Sequence, residues 1–181
     1  MAQSGKLDLT RGDSRMQGQL QGGQLEGPVR IEEAGRPQAQ LSYSEGELNG
    51  PVTLFHPNSK VSAQMPYVRG KLHGVATFHA PEGWLQRKVS YRLGLMHGEA
   101  SSYYPDGRLA EVEHYRDGVR DGPYQRFHSN GQLALCSHYL KGQLLEPGQP
   151  YAEDGRPLDG EGKPMSRLRW WWKRWTEPAQ A

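Results

Sequence analysis

The sequence predicts an all-β protein: an elongated, twisted antiparallel meander of β-hairpin repeats followed by a short C-terminal α-helix. Three observations predict it. Gly-x-x-x-Gly pairs return about every 24 residues, a tyrosine keeps fixed phase with them, and a glycine-bearing corner falls between. Glycine and proline (23 and 13 residues) make 36 of 181 positions, while hydrophobic residues reach only 35 %. That balance favours many short strands and turns over long helices. Low apolar content also suits a disordered chain, but disorder gives no reason to keep a period.

The pairs are Gly23/Gly27, Gly46/Gly50, Gly70/Gly74, Gly94/Gly98 and Gly118/Gly122, with a sixth start at Gly142 that meets Glu146 in place of its second glycine. Their starts lie 23, 24, 24, 24 and 24 residues apart, which means stacked supersecondary units. Residues 5–22 read as a leading half-unit with Leu20 in the tyrosine position, and residues 142–160 as a trailing one. The array thus occupies residues 1–160, and residues 161–181 form a tail of different character.

Within a unit the second glycine opens a first strand that ends at an aromatic residue: Phe55, Tyr103, Phe127 and Tyr151, with His79 as the exception. Corners follow at "PNSK", "PEGW", "PDGR", "SNGQ" and "EDGR". Asp-Gly and Asn-Gly supply the positive φ that two-residue turns need. A second strand then runs from an aliphatic residue (Val61, Leu85, Leu109, Leu133) to Tyr67, Tyr91, Tyr115 and Tyr139. Six residues apart, the aliphatic and the tyrosine share a strand face. The Gly-x-x-x-Gly segment links one hairpin to the next. A lone hairpin is barely stable, so its apolar face must be buried by stacking on neighbours.

This pattern resembles the MORN-repeat superfamily, in its bacterial variant whose units read Gly-x-x-x-Gly, aromatic, Asn/Asp-Gly, then tyrosine. The resemblance covers about five units, most of the chain. Ser59 in place of a corner glycine and Glu146 in the last pair depart from it, and both imply local turn adjustments. The unit before Gly35 is one residue short at its corner. Bacterial proteins of this kind are described as antitoxins or immunity proteins that bind and block a toxin, and others as scaffolds, some at membranes. The resemblance therefore implies a non-enzymatic binding protein with a protein partner, a toxin or effector, or else a membrane-associated scaffold.

No catalytic residue, cofactor site or metal site is expected. Phosphate-loop and dinucleotide fingerprints are absent, and no helix follows the glycine segments. His73 and His97 share one column with Glu26, Asn49 and Asp121, and His114 and His138 share another. Equivalent positions lie two strand spacings apart, about 9.5 Å, whereas zinc needs each nitrogen at about 2 Å. A cross-strand polar column is the better account. Cys136, the only cysteine, excludes an internal disulfide and reads as a small inert thiol two residues from His138. Glu111 and Glu113 share a strand face without a cleft around them, and Arg11–Asp13 ("RGD") reads as a turn.

The residues that vary while the frame repeats are the natural specificity positions: Thr53, Leu54, Thr77, Phe78, Ser101, Ser102, Gln125 and Arg126. The body has 17 basic and 18 acidic groups over residues 1–160, so nucleic acid is not its expected partner. The tail carries Lys163, Arg167, Arg169, Lys173 and Arg174 against Glu161 and Glu177. In "SRLRWWWKRW", Ser166 can cap a helix and Pro178 stop it. Leu168, Trp171, Trp172 and Trp175 fall on one face, with the basic residues and Trp170 around the other. Three readings stand: a cap over the last hairpin, an anchor on an anionic membrane surface, and a partner-binding helix. "MAQSGKLDL" has no signal-peptide pattern, so the expected location is cytoplasmic, peripheral at the inner membrane face if the tail anchors it. Exposed strand edges leave homo-oligomerisation open.

Overall fold

The computed structural model describes residues 4–176, with side chains described to residue 172. In chain order the strands are β1 (Gly5–Arg11), β2 (Ser14–Gln21), β3 (Gln24–Leu25), β4 (Gly27–Glu33), β5 (Arg36–Ser44), β6 (Glu47–Leu48), β7 (Gly50–Phe55), β8 (Val61–Val68) and β9 (Lys71–Leu72). There follow β10 (Gly74–His79), β11 (Leu85–Arg92), β12 (Leu95–Tyr103), β13 (Leu109–Arg116), β14 (Val119–Arg120), β15 (Gly122–Phe127), β16 (Leu133–Leu140), β17 (Gln143–Leu144) and β18 (Gln149–Pro150), then α1 (Arg167–Thr176). All 18 strands join one antiparallel sheet. Each long strand pairs with the next along the chain, as β5 with β7, β7 with β8, and β8 with β10. The leading segment differs from a half-unit: β1 and β2 pair over seven residues as a complete hairpin.

The two kinds of turn are distributed differently from the expectation. Two consecutive positive φ angles, the mark of a type I′ turn, occur between repeats: Glu45–Gly46, Arg69–Gly70, Leu93–Gly94, Asp117–Gly118 and Lys141–Gly142. The Asp-Gly and Asn-Gly corners are instead three-residue loops. At "PDGR", Gly107 N–H donates to Tyr104 O and Tyr104 N–H to Arg108 O, with only Gly107 at positive φ. A bulge accompanies the corners after Phe55, His79, Tyr103 and Phe127. The short leading corner does use a two-residue turn, Ala34–Gly35, with both φ angles positive. Ser59 makes no adjustment. It adopts φ 64° itself and keeps both corner hydrogen bonds. Glu146 has a larger effect: the first strand after it shrinks to Gln149–Pro150, against six residues in β15.

Neighbouring units are tied at both ends. From Gly46 onward, the glycine that opens each linking segment donates its N–H to the preceding unit: Gly46 to Leu25 O, Gly70 to Leu48 O, Gly94 to Leu72 O, Gly118 to Met96 O and Gly142 to Arg120 O. At the corner end side chains reach forward to the next unit's backbone. His56 bonds His79 O, Tyr104 bonds Phe127 O and His128 bonds Tyr151 O. Asn58 and Asn130 reach Pro81 O and Glu153 O in the same way. The second glycine has a steric reason. A Cβ on Gly74 (φ 111°) would stand 3.1 Å from Pro66, and one on Gly122 (φ 125°) 3.0 Å from His114.

Because the sheet is a single layer, its core is a stripe along one face. Cross-strand partners Val29/Leu41, Val52/Met65, Ala76/Val89 and Ala100/Glu113 lie on that face. Val29, Val52, Ala76, Val89 and Ala100 are buried. The tyrosines lie on it too, Tyr43 opposite Leu48 and Tyr67 opposite Leu72. The most deeply buried column is thus the small Val/Ala one, and the predicted aliphatic column stays half-buried or, at Leu109, exposed.

Candidate protein-binding faces

The register lines the variable residues into two rows. Thr53 pairs with Gln40 and Gln64, Thr77 with Gln64 and Lys88, Ser101 with Lys88 and Val112, Gln125 with Val112 and Cys136. This row is mostly polar and lies on the face away from the core stripe, with Val112 and Ser101 buried within it. Leu54, Phe78, Ser102 and Arg126 each follow one residue later, so alternation puts them on the stripe face. There Leu54 pairs with Ala39 and Ala63, and Phe78 with Ala63 and Arg87. The eight candidate residues therefore divide four and four, and one flat partner cannot touch them all. Ser101 is buried, Arg126 is exposed, and the others are half-buried.

Along the stripe face chemistry changes abruptly. One column reads Leu41, Met65, Val89, then Glu113; a second reads Leu25, Leu48, Leu72, Met96, then Arg120; a third reads Ala39, Ala63, then Arg87. The three charged residues meet. Glu113, its side chain only 5 % exposed, accepts from Arg87 at 2.8 Å and pairs with Arg120 through its other oxygen. Arg87 reaches it across β12, where small Ala100 stands opposite Glu113. The Tyr115 hydroxyl donates to Glu113 at 3.2 Å. Arg120 lies over the Tyr124 and Tyr139 rings at 5.7 and 5.2 Å, and those rings meet edge to face at 6.1 Å. Burial first, then hydrogen bonding to Glu111, pushes the Tyr124 hydroxyl up to about 12. Sequence reasoning left this cluster out, although aligning the units shows charges entering three apolar columns together.

The histidine columns serve the frame. His97 contacts Asp117 at 3.2 Å, and Glu26 and Asn49 accept the N–H of Glu45 and Arg69 in the next turn. The Arg92 guanidinium, and then His97, hold the Asp117 carboxyl below its usual range. His114 bonds Pro123 O. Among the described residues no group of three or more His, Cys, Asp or Glu could hold a metal ion. Cys136 is a half-buried free thiol in the polar row.

In the tail, Ser166 Oγ accepts the Arg169 N–H at 3.4 Å and its carbonyl the Trp170 N–H, so it does cap α1. The helix face differs from a docked cap. Leu168, Trp171 and Trp172 are 81, 59 and 66 % exposed, while Trp170 is the more covered. A cavity beside Asp154 and Arg156 is lined by Arg167, Trp170 and Trp171. The side chains of Lys173, Arg174 and Trp175 lie outside the described residues. No helix among the described residues is long and apolar enough to cross a membrane.

An open single-layer array of hairpins, with chemistry varying on a repeated frame, defines a repeat-type binding protein. Residues 72–92, 96–117 and 120–141 match the family described as the MORN repeat variant, so those three repeats are similar to that family. Such repeats are in general protein- or membrane-binding modules rather than enzymes. No curated protein matches the sequence. The crystal structure of TarM is similar to this chain at 12 % identity and a TM-score of 0.36, over 60 % of this chain and 19 % of that one. The chain spans about a fifth of TarM's length, and a likeness at that level carries no argument.

Proposed function

We propose that the chain is a non-enzymatic binding protein of the antitoxin or immunity kind, which captures a toxin or effector protein and blocks it. The supporting observation is the stripe face. It is one continuous surface in which half-buried Leu54 and Phe78 flank the buried Val/Ala column, tyrosines run its length, and the arginines begin at Arg87, the cross-strand partner of Phe78. No second layer of the described chain covers it. Aromatic and arginine side chains dominate protein-binding hot spots, and a flat face suits a large partner better than a small ligand. Growth rescue on co-expression with a candidate toxin tests the reading. Leu54→Glu with Phe78→Glu should abolish rescue while circular dichroism stays unchanged; full rescue by the double variant would overturn it.

A second reading rests on the composition of α1, where Leu168, Trp171 and Trp172, each more than half exposed, stand beside Arg167 and Arg169. Tryptophans at headgroup level with arginines on anionic lipid would hold a scaffold at the inner membrane face. Co-sedimentation with phosphatidylglycerol vesicles, lost on deleting residues 166–175, is the expected result; retention by the deleted chain would exclude this role for the tail.

A further inference from the structure

We infer that the Arg87–Glu113–Arg120 cluster is a docking site for a carboxylate-rich, extended segment of the protein partner. The inference deepens the binding reading above and rests on it. The fold does not need these charges. At the same three columns the preceding units carry Ala63, Val89 and Met96. Replacing a buried ion pair by packed apolar residues is often neutral or stabilising. Three columns changing together, in mutual contact, break a local rule without a structural gain, which marks a functional site.

Charge complementarity identifies the occupant. The acidic member is turned inward and already satisfied: Glu113 holds two guanidinium groups and the Tyr115 hydroxyl. The basic members face outward. Arg87 and Arg120 are 39 and 42 % exposed at the side chain, and Arg126, exposed on the same face, is the cross-strand neighbour of Glu111. The surface on offer is therefore guanidinium N–H, held in place by the carboxylate beneath and by the Tyr124 and Tyr139 rings. Guanidinium forks match carboxylates in geometry, and their orientation here is prepaid by the fold.

The test uses the full chain and a short fluorescent peptide alternating Glu and Thr, read by anisotropy at low ionic strength. Binding should weaken steeply with salt, and a Lys–Thr peptide should not bind. The triple variant Arg87→Ala, Glu113→Val, Arg120→Leu restores the apolar columns and should fold, with affinity for the acidic peptide reduced at least about tenfold. Arg120→Lys keeps the charge but not the fork or the ring stacking. It should lose several-fold in affinity with an unchanged melting temperature, which serves if the triple variant misfolds. Equal binding by wild type and variants, or no binding by wild type, overturns the cluster as a docking site. Rescue of growth in that case would leave the wider binding reading standing, whereas loss of rescue as well would remove both.

Discussion

The two ends of the stripe face share one backbone and differ in chemistry. From β4 to β11 the columns hold Val29, Leu41, Val52, Met65, Ala76 and Val89; from β11 to β15 they hold Arg87, Glu113, Arg120 and Tyr124, while the tyrosine column runs through both. The glycine turns, the bulged corners and the register are the same in both. The frame is thus set by glycines and small residues, and the long side chains above it are free to be spent on recognition.

The largest effect should come from stranding the buried carboxylate. Removing both partners in Arg87→Ala/Arg120→Ala leaves Glu113 unpaired and should cost about 3–5 kcal/mol, measured by urea denaturation. A change under 1 kcal/mol would show that Glu113 is solvated and that the two ends differ less than their burial suggests. Next, a common frame requires a common penalty. Gly74→Ala at the apolar end and Gly122→Ala at the charged end should each cost about 2 kcal/mol through the positive-φ backbone. Unequal losses would break the comparison. Ser59→Gly should gain about 1 kcal/mol by relieving a left-handed serine at the corner, with the midpoint shift reporting it.

The smallest effect is spectroscopic. Tyr124 should ionise near pH 12, well above the ordinary tyrosine range. Its folded-state value is raised, so its contribution is fully present below the unfolded value of about 10 and is lost as pH rises toward 12. Absorbance at alkaline pH in Glu111→Gln should show Tyr124 titrating earlier, because its hydrogen bond to Glu111 adds to the shift. No change would leave burial as the whole cause.

Periodicity was enough to read the meander, because the glycine spacing fixes where turns must fall and hence which residues pair. It was not enough to choose the core face. Alternation counted from Val61 passes through a bulge, and Val52, Ala76 and Ala100 look too small to be the buried column. The turn types were exchanged for a related reason. Asp-Gly suits both kinds of turn, while Arg69, Leu93 and Lys141 give no outward sign of positive φ. The Arg87–Glu113 pairing spans two strands and 26 residues, beyond any local pattern. The helix at the tail was legible from Ser166, but its covered side depends on the corner at Asp154–Arg156 that it meets.

Two joints of the corner ladder lack a side-chain link, and the gaps have a mechanical meaning. His56, Tyr104 and His128 each reach forward, whereas the same column holds Ala80 and no described side chain between residues 79 and 84 bonds the corner at 103–108; the side chains of residues 32–36 likewise make no bond to the corner at 55–60. Pulled from its two ends, the protein should therefore tear first at these two joints rather than peel unit by unit. A graft of the absent tie, Ala80→His, would turn a jointed rod into a stiffer one.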